Sequence, residues 1–512
     1  MPWKVLLAAA TGLLFVAATA VKLWQYRHWL LTAYDAGIYY QAMWLVSHGL
    51  PDAYNFFTSQ PNLADAEQWI LFPLGFLTRL AGPLFPLAAQ AAASALLAAA
   101  VAVYAHDRGL GTVTSFLLLA VAAAYPSVLG THILDWHPDP VGAAALAWAA
   151  VLERRRREAP WERRREAPWL AALLVALLTK NQAAVPVAAY GLGLLGKGLL
   201  ARAAPERRLL LWHGLWALGL GALFLAGDEW AATALLGGRN LNVATDYASL
   251  GGSLPAVLLS ILHHPLLVAR RVAAHPDYWR AMLEPLAYLP LLAPLSALSG
   301  LAAMAADSLA DQPALTLPYD QYALWAAPGL LLATVDALAR LRAAGAGLRQ
   351  GRPAVPGRAL LRRLPPPAGL LSLAVLLLSA RWLLGATLPN EAWRLRPPAA
   401  EADLRRATAL IPPEAALYGE NGTVSWLAWR RFSGSWPYTD FRRFVAALPE
   451  GVPLYVFAAP DLAFAGIDTA GERRLLARLE AAGARRLYDS GGVWLLEVPP
   501  GARARLAAAG AG

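Results

Sequence analysis

The chain has 512 residues, of which 58% are hydrophobic and only 15% are charged, and its mean hydropathy is +0.42. This composition cannot supply the polar surface of a water-soluble protein of this size, so it predicts an integral membrane protein. The net charge of +10 is concentrated in arginine-rich breaks between apolar runs, which predicts membrane topology rather than nucleic-acid binding. The absence of cysteine excludes disulfides and thiol catalysis.

Apolar runs alternate with polar breaks along the first 388 residues. A run of about 20 apolar residues crosses a hydrocarbon core of about 30 Å. The first run is longer than the core of a secretory signal, and polar residues follow it instead of a cleavage site. The sequence predicts about 11 transmembrane helices, several of them short, at 5–24, 82–105, 111–130, 141–152, 169–178, 183–200, 209–227, 283–294, 298–306, 322–341 and 369–388.

Three basic stretches, at 154–165, 197–208 and 340–363, set the predicted orientation. Short loops rich in lysine and arginine stay in the cytoplasm, and with 11 passes all three lie on the side of the N terminus. The sequence therefore predicts a multi-pass protein of the cytoplasmic (inner) membrane with a cytoplasmic N terminus. The extracytoplasmic face then carries the outer loops 25–69, 131–140, 228–282 and 307–320, and the chain after Leu388.

The tail from 389 to 512 differs from the apolar part at 1–388. Helical patterns alternate there with β-prone apolar runs, which predicts a small extracytoplasmic α/β domain after a transmembrane domain. The helices are expected at 401–410 and 471–482, and the strands at 415–418, 453–457, 484–488 and 493–498. Either an acceptor-binding or partner-binding module or a structural cap fits this pattern.

One carboxylate, Asp35, follows the first predicted helix within an aromatic stretch that runs from Tyr34 to Trp44. A carboxylate in this place is either a solvated surface charge or a catalytic group. Its aromatic neighbours are expected to raise its pKa somewhat by lowering the local dielectric.

The second outer loop has Asp135, His137 and Asp139 at two-residue spacing. In an extended loop these side chains point to one side. Two carboxylates and an imidazole can hold a divalent cation, or a lipid-linked pyrophosphate through that cation. The alternative is an interfacial turn built by Trp136 and Pro138, with solvated charges around it.

Two further outer loops carry candidate binding residues. Arg270 and Arg271 belong to a basic, aromatic stretch that predicts an amphipathic helix on the membrane, which would attract a polyprenyl phosphate or act only as an anchor. Tyr319 and Asp320 stand before the tenth predicted pass and are candidates for sugar or phosphate recognition.

Short motifs resemble a known family. They are the stretch 34–41 with Trp44 and Gly49, the Trp136-His137-Pro138 loop, and Thr179-Lys180 at a hairpin tip. They resemble the predicted membrane proteins of domain-of-unknown-function family 2079, grouped with the GT-C glycosyltransferases. This resemblance implies a GT-C-like enzyme of the cell envelope that takes a sugar from a polyprenyl-phosphate donor and transfers it, usually with inversion, on the extracytoplasmic side.

The resemblance also implies residue roles. Asp35 matches the essential acidic residue of the first outer loop in GT-C enzymes and would act as the catalytic base, while Asp135 or Asp139 would fill a second acidic position. At the hairpin tip relatives often have Lys-Glu-Asp, whereas this chain has Lys180-Asn181-Gln182, so an acidic role there is missing or moved. The expected substrate-binding residues are Tyr34, Tyr39, Gln41, His137, Lys180, Arg270, Arg271, Tyr319 and Asp320.

The expected partners are a polyprenyl-phosphate sugar, a glycan, lipid or protein acceptor, and the bilayer, with a divalent metal ion as the one cofactor considered. Lys180 would meet the donor phosphate, or it would act only as an interfacial anchor. Two other functions fit a polytopic chain: a lipid or solute transporter, and a binding or scaffold protein. A transporter tends to place charges at the bilayer midplane and to contain repeated halves, and the sequence shows neither pattern.

Overall fold

The structure is a computed structural model that describes residues 2–50, 54–57, 60–61, 68–158, 166–235, 241–350, 367–460 and 469–508. Parts of the predicted basic stretches, at 159–165 and 351–363, lie outside the described residues. The same holds for parts of the first and third predicted outer loops, at 51–53, 58–59, 62–67 and 236–240.

Helices dominate the first 391 residues. They are α1 Trp3–Arg27, α2 Ile38–Ser47, α3 Leu71–Ala81, α4 Phe85–Asp107, α5 Thr112–Ala124, α6 Pro126–Leu134, α7 Asp139–Glu158, α8 Glu166–Thr179, α9 Ala184–Leu200, α10 Ala204–Trp230, α11 Leu241–Asp246, α12 Leu254–His263, α13 Pro265–Ala273, α14 Pro276–Leu283, α15 Pro294–Leu309, α16 Ala327–Gln350, α17 Pro367–Trp382 and α18 Leu388–Glu391. A π turn, Ala33–Gly37, precedes α2, and two short strands, β1 Tyr54–Asn55 and β2 Gln60–Pro61, pair antiparallel.

Six described helical segments are long and apolar enough to cross a membrane: Trp3–Arg27, Phe85–Asp107, Asn181–Leu200, Ala204–Trp230, Tyr322–Gly345 and Gly369–Glu391. Two bent pairs raise the number to 8: α5 with α6, bent by 46°, and α12 with α13, bent by 96°. The expected count of 11 is therefore not confirmed. The predicted passes at 141–152, 169–178 and 298–306 lie in helices that are too short or too charged to meet the same criterion.

The predicted pass at 283–294 is not one helix. Its residues form two 3-10 turns, Glu284–Leu286 and Leu289–Leu292, each with a proline in its first turn. Proline lacks an amide hydrogen and clashes with the preceding turn, so Pro285 and Pro290 interrupt a helix that hydrophobicity alone favoured. In the third outer loop, the basic stretch is divided among the helices α12, α13 and α14, and Arg270 and Arg271 lie in the last turn of α13. The predicted contact of this stretch with the membrane stays a prediction.

Contacts between helix ends define two ends of the helical part. At the first, the ring of Trp3 stacks on His106 with centroids 4.2 Å apart, and Arg154 donates to the carbonyl of Asp107 over 3.0 Å. These contacts join the start of α1 to the ends of α4 and α7, and we call this the basic end. At the opposite end, Lys22 and Gln25 of α1 donate to the carbonyls of Asp135 and Ile133 at the end of α6.

The described tail contains a five-stranded sheet with the order β4-β3-β5-β7-β6. β3 is parallel to β4 and β5, whereas β7 is antiparallel to β5 and β6. The strands are β3 Ala416–Glu420, β4 Ser433–Trp436, β5 Leu454–Ala458, β6 Arg485–Ser490 and β7 Val493–Val498, and the helices are α19 Glu401–Thr408, α20 Asn421–Val424, α21 Phe441–Ala447, α22 Thr469–Ala481 and α23 Pro500–Ala508. The four predicted strands and both predicted helices are confirmed. β4 was missed because its sequence, Ser-Gly-Ser-Trp, lacks an apolar run.

The sheet shares a core with the helical part. One buried cluster contains Trp29, Tyr40 and Trp136 together with Leu417 of β3 and Phe457 of β5. The ring of Trp29 meets that of Phe457 edge to face at 5.9 Å. The start of the first outer loop is therefore packed between helices and sheet, and this packing positions Asp35.

Candidate active site

A short non-helical segment, 135–138, separates α6 from α7 and contains His137. We call this segment the break. Because a residue before proline is disfavoured in helical geometry, Pro138 keeps His137 out of a helix. Two fully buried side chains, Lys22 of α1 and Gln90 of α4, donate to the carbonyl of Asp135 at 2.8 and 3.0 Å. The last carbonyl groups of a helix have no hydrogen-bond donor within the helix, and these two side chains supply donors to the Asp135 carbonyl after α6. They therefore hold the break in position.

The carboxylate of Asp135 ties this break to the first outer loop. It accepts hydrogen bonds from the backbone amide of Thr32 at 2.7 Å, from the Thr32 hydroxyl at 2.6 Å, and from the amide of Trp136 at 2.7 Å. Asp135 is fully buried. Its contacts make it a positioning residue for the segment that leads into Asp35.

Four charged side chains form a line at the break. Asp35 Oδ2 lies 3.5 Å from His137 Nε2, and the other ring nitrogen of His137 lies 3.9 Å from Asp139 Oδ2. Lys180 Nζ lies 3.5 Å from Asp139 Oδ1. The side chains of His137 and Asp139 are 1% and 0% exposed, whereas Asp35 is 16% exposed. We call these four side chains the charge line. Asp35 is its accessible end, and the other three side chains are buried.

Asp35 and His137 each favour the ionised form of the other. Burial alone would raise the pKa of Asp35, but the positive charge of His137 outweighs it, so the pKa of Asp35 is lowered. Burial would lower the pKa of His137, and the charge of Asp35 outweighs it, so that pKa is raised. The expected rise of the Asp35 pKa was therefore wrong, because an imidazolium faces the carboxylate where the sequence indicated only aromatic rings.

The aromatic stretch around Asp35 divides into two faces. Tyr39 is buried, meets the His137 ring at 5.7 Å and accepts a hydrogen bond from Gln68 at 3.1 Å. Tyr34 is 46% exposed, so its ring lies at the opening of the site. Gln41 is buried and donates to the carbonyl of Arg431 in the tail, so its amide points away from the charge line.

Asp320 belongs to the same electrostatic group. Burial and then the charge of Asp35 raise the pKa of Asp320 to about 7. The backbone of the preceding residue, Tyr319, packs closely against Gly130 of α6. A Cβ added to Gly130 would lie 2.3 Å from the Tyr319 carbonyl oxygen, so this close contact requires glycine. A carboxyl group that titrates near neutrality beside an ionised carboxylate can donate or accept a proton.

Lys180 contacts the ring of Tyr322 as well as Asp139. Its ammonium lies 4.9 Å from the centre of the Tyr322 ring, a cation–π distance. Trp325 Nε1 donates to Asp139 Oδ1 at 2.9 Å, so Asp139 receives Lys180 and Trp325 on the same oxygen. These contacts assign Lys180 to the charge line rather than to an interfacial anchor at the surface.

The two arginines expected to bind substrate lie elsewhere. Arg271 of α13 donates to the carbonyl of Leu309 at 2.7 Å and pairs with Asp311 at 3.2 Å. Within the residues that the structure describes, none of the recorded contacts brings Arg270 or Arg271 to Asp35. Their predicted role stays a prediction.

The predicted cation ligands do not act as one group. Asp135 faces Thr32, whereas His137 lies between Asp35 and Asp139. In the described part of the chain, no group of three or more histidine, aspartate or glutamate side chains is arranged to hold a metal ion. The cation at Asp135, His137 and Asp139 stays a prediction.

Several neighbours of the site were missed from sequence. Arg394 lowers the pKa of Asp35 and donates to the carbonyl of Leu134 at 3.1 Å. Asn421 accepts a hydrogen bond from the Tyr34 amide at 2.7 Å, and the ring of Tyr438 lies 5.3 Å from that of Tyr34. All three come from the region after Leu388, which no local motif linked to Asp35.

Comparison with known proteins now places the chain. Residues 27–432 match the model of a family described as a predicted membrane protein, DUF2079. The chain belongs to this family. No curated protein matches this DUF2079 member in sequence.

The fold of this DUF2079 protein is similar to that of ArnT in two solved structures. ArnT from Cupriavidus metallidurans in the apo state gives a TM-score of 0.50 at 16% identity, over 96% of this chain and 99% of that one. The same protein bound to undecaprenyl phosphate gives 0.50 at 15% identity, over 98% of both chains. The archaeal oligosaccharyltransferase AglB from Archaeoglobus fulgidus, in complex with an inhibitory peptide and a dolichol-phosphate, gives 0.43 at 12% identity over 96% of this chain and 74% of that one.

Proposed function

We propose that this DUF2079 protein is a membrane glycosyltransferase that moves a sugar from a polyprenyl-phosphate donor to an acceptor, with inversion. The observation that carries the proposal is the charge line at the break, in which only Asp35 keeps an accessible carboxylate while His137, Asp139 and Lys180 are buried behind it. The fold likeness to ArnT bound to undecaprenyl phosphate supports the same class of donor.

In the proposed step, Asp35 accepts the proton of the acceptor hydroxyl. The oxygen of that hydroxyl forms the new bond to the anomeric carbon of the sugar. The bond from that carbon to the donor phosphate breaks on the opposite face, and polyprenyl phosphate leaves with the electron pair. His137 and Lys180 supply positive charge for that phosphate, with Arg394 nearby. Asp320, with its pKa raised to about 7 by burial and by Asp35, can relay the proton.

Donor binding would activate the base. His137 lowers the pKa of Asp35, which favours the ionised carboxylate and makes it a weaker base. A donor phosphate that binds beside Asp35 would share the positive charge of His137 behind it. The pKa of Asp35 would then rise toward the value favoured by burial, so the base gains strength only when a donor is present.

Transfer assays test the proposal. Membranes with wild type, Asp35→Asn or the control Asp277→Asn, at matched expression, are incubated with radiolabelled polyprenyl-phosphate sugars. Asp277 is an exposed carboxylate of α14 outside the charge line. Asp35→Asn is expected to lose transfer by at least about a hundredfold, the scale of a general base, while Asp277→Asn retains it. Wild-type transfer left intact by Asp35→Asn would overturn the catalytic role.

The same assay tests the predicted divalent cation. Membranes are treated with EDTA and then supplied with Mg²⁺ or Mn²⁺. Loss of transfer on chelation and its recovery with a metal ion would support a cation at the site, whereas unchanged transfer would contradict it. Asp135→Asn separates its two possible roles, because a positioning residue would lower transfer equally at every metal concentration.

We also propose that the site faces the extracytoplasmic side. In this proposal, residues 1–388 form the transmembrane domain and residues 389–512 form the extracytoplasmic domain. The basic end carries Arg154, Arg155, Arg156 and Arg157 near the start of α1, which fits a cytoplasmic N terminus. Reporter fusions after Leu388 and after Arg157 test this orientation. An extracytoplasmic reporter after Leu388 and a cytoplasmic one after Arg157 are expected, and the reverse would contradict both the orientation and the donor side.

A further inference from the structure

Three aromatic rings meet at the opening of the candidate active site. The rings of Phe57 and Tyr438 are stacked with centroids 4.4 Å apart, and the ring of Tyr34 meets them edge-on, 5.0 Å from the first and 5.3 Å from the second. Tyr34 and Tyr438 are 46% and 41% exposed. We call these three side chains the aromatic cluster. Large rings that stay this exposed beside a candidate active site offer a surface on which a ligand can pack.

Hydrogen bonds fix the backbone of the two rings that come from the first outer loop. The Tyr34 amide donates to Oδ1 of Asn421 in the tail at 2.7 Å. The Phe57 amide donates to Oδ1 of the buried Asn55 at 2.8 Å, two residues earlier in the chain, which is the pattern of an Asx turn. Rings held in this way lose little conformational freedom when a ligand packs on them.

The third ring comes from the tail and lies near the carboxylate of Asp35. The hydroxyl of Thr439 donates to the carbonyl of Phe56 at 2.8 Å, so the tail is bonded to the first outer loop next to the aromatic cluster. Burial and then the charge of Asp35 raise the pKa of Tyr438, so its phenol lies within the electrostatic field of that carboxylate. The aromatic cluster therefore borders the position at which the acceptor hydroxyl lies in the proposed step.

Aromatic faces and phenol hydroxyls together match the chemistry of a sugar ring. A pyranose has apolar C–H faces, which pack on aromatic rings, and hydroxyl groups around its edge, which can bond to the phenols of Tyr34 and Tyr438. The three rings carry no charge, so they do not favour a charged ligand over a neutral one. A lipid chain has apolar groups only, and it would leave the phenols without partners.

We propose that the aromatic cluster binds a pyranose ring of a glycan acceptor and presents one of its hydroxyls to Asp35. This inference rests on the proposed function and deepens it, because it chooses the glycan among glycan, lipid and protein acceptors. The sugar ring packs on the exposed surface of Tyr34 and Tyr438, and Phe57 contacts both of these rings and supports them. The hydroxyl that reacts then lies next to the carboxylate that accepts its proton.

Saturation-transfer NMR on the purified full-length protein in nanodiscs tests the inference. The probes are cellotetraose, maltotetraose and mannotetraose, with a serine-containing tetrapeptide and monopalmitoylglycerol as the protein and lipid alternatives. Tyr438→Leu removes an aromatic face, whereas Tyr438→Phe removes only the phenol oxygen. Tyr288→Leu is the matched control, because Tyr288 is 44% exposed and lies outside the aromatic cluster.

Wild type is expected to bind at least one tetraose, with saturation strongest at the C–H protons of one sugar ring. Tyr438→Leu is expected to weaken this binding by about fivefold or more, and Tyr438→Phe and Tyr288→Leu by no more than about twofold. Absence of binding for all three tetraoses, or an equal loss in Tyr438→Leu and Tyr288→Leu, would overturn the inference. A loss in Tyr438→Phe as large as in Tyr438→Leu would overturn the stacking.

Further readouts separate this inference from others. Binding of the tetrapeptide or of monopalmitoylglycerol that depends on Tyr438, without binding of a tetraose, would overturn the glycan in favour of that acceptor. Thermal unfolding is measured for each variant, and Tyr34→Leu, with the same expected loss, replaces Tyr438→Leu if that variant has a lowered Tm. Asp35→Asn is expected to bind the tetraose like wild type, because its side chain is not part of the aromatic cluster. Failure of the transferase proposal would appear in the transfer assay, whereas failure of this inference would appear in binding.

Discussion

The accessible carboxylate of Asp35 depends on residues that have almost no exposure of their own. His137 and Asp139 are buried, and each has an oppositely charged neighbour at 3.5 Å, Asp35 and Lys180 respectively. Buried charges are tolerated when they are paired, and a broken pair leaves a costly unpaired charge. A substitution at any of these residues therefore alters the electrostatics at Asp35 as well as the local packing.

His137→Gln should change the pH dependence of transfer. Because the His137 pKa is raised above 6.5 by Asp35, wild type is expected to lose activity as the pH rises through that higher value and the imidazolium becomes neutral. The variant has no such titration, so its alkaline limb should disappear. Without the imidazolium, burial raises the Asp35 pKa, and the acid limb should move to higher pH.

The measurement is the transfer rate from pH 4 to pH 9 in wild type and His137→Gln. His48→Gln is the control, because His48 is exposed and stacks on Trp44, outside the charge line. An alkaline limb that persists unchanged in His137→Gln would show that another group causes it. At neutral pH the variant is expected to be slower by about 10–100-fold, the scale of one charged group at a reacting site.

Asp320→Asn should change the pH dependence of stability. The pKa of Asp320 is raised to about 7 from 3.8, so the folded protein loses stability relative to the unfolded chain as the pH rises between these values. Asparagine cannot ionise, and the variant should gain stability relative to wild type at pH 8 but not at pH 3.5. We expect a gain in Tm on the order of 2 °C, since Asp320 is partly exposed.

Thermal unfolding in detergent at the two pH values measures this effect, with Asp277→Asn as the exposed control. An equal change in Tm at pH 8 and pH 3.5 would contradict the raised pKa.

At the scale of residues, the sequence indicated Asp35, His137 and Lys180, because each stands in a short motif with few other charges. It could not indicate their pairing or the sign of the Asp35 pKa shift, since both depend on distances across separate helices.

At the scale of elements, the start of α7 packs closely against the 3-10 turn Tyr322–Ala326 that precedes α16. An added Cβ on Gly142 would lie 2.3 Å from the Trp325 ring and 3.0 Å from Thr179. This approach allows Trp325 to reach Asp139 with its indole nitrogen at 2.9 Å. The glycine in α7 therefore determines how closely the tryptophan and the charge line can pack.

Gly142→Ala is expected to displace Trp325 and to break its hydrogen bond to Asp139. Overpacking of this kind costs about 1–3 kcal/mol, and loss of the donor should lower transfer by about tenfold. Gly219→Ala in α10 is the matched control, because a Cβ there meets nothing within 4 Å. Thermal unfolding and transfer are measured for both. If the two substitutions had the same effect, the contact with Trp325 would not matter to the site.

The predicted elements succeeded where a pattern was local and failed where proline or charge intervened. Strands β3, β5, β6 and β7 were predicted because each is a short β-prone run between turn residues. The pass at 283–294 failed because hydropathy does not register Pro285 and Pro290 as interruptions. The count of spanning helices could not be fixed for the same reason, since bent pairs such as α5 with α6 share one apolar run.

At the scale of the whole molecule, the tail completes the candidate site. Asn421 and Tyr438 contact Tyr34 in the first outer loop, and Arg394 donates to the Leu134 carbonyl at the end of α6, all from positions hundreds of residues away in sequence. Sequence patterns report neighbours along the chain, so this docking could not be predicted from composition or periodicity. The family model matches residues 27–432 and so includes Asn421 and β3 of the tail.

Asn421→Ala tests whether this docking positions Asp35. The Asn421 side chain is buried and accepts the Tyr34 amide at 2.7 Å, immediately before Asp35. Its removal leaves a backbone amide without this acceptor, which costs about 1–3 kcal/mol, and loosens the π turn that carries the carboxylate. We expect transfer to fall by about tenfold or more through kcat, because small displacements of a reacting group slow the chemical step.

The control is Asn390→Ala, since the Asn390 amide is exposed and donates to Ala386 within its own helix. Asn421→Asp supplies a second comparison, because aspartate keeps an acceptor for the Tyr34 amide and should restore most of the rate if geometry is the cause. A loss in Asn421→Ala that aspartate does not rescue, together with a lowered Tm, would assign Asn421 to stability alone. Rescue by aspartate at unchanged Tm would show that the tail holds Asp35 in its working position.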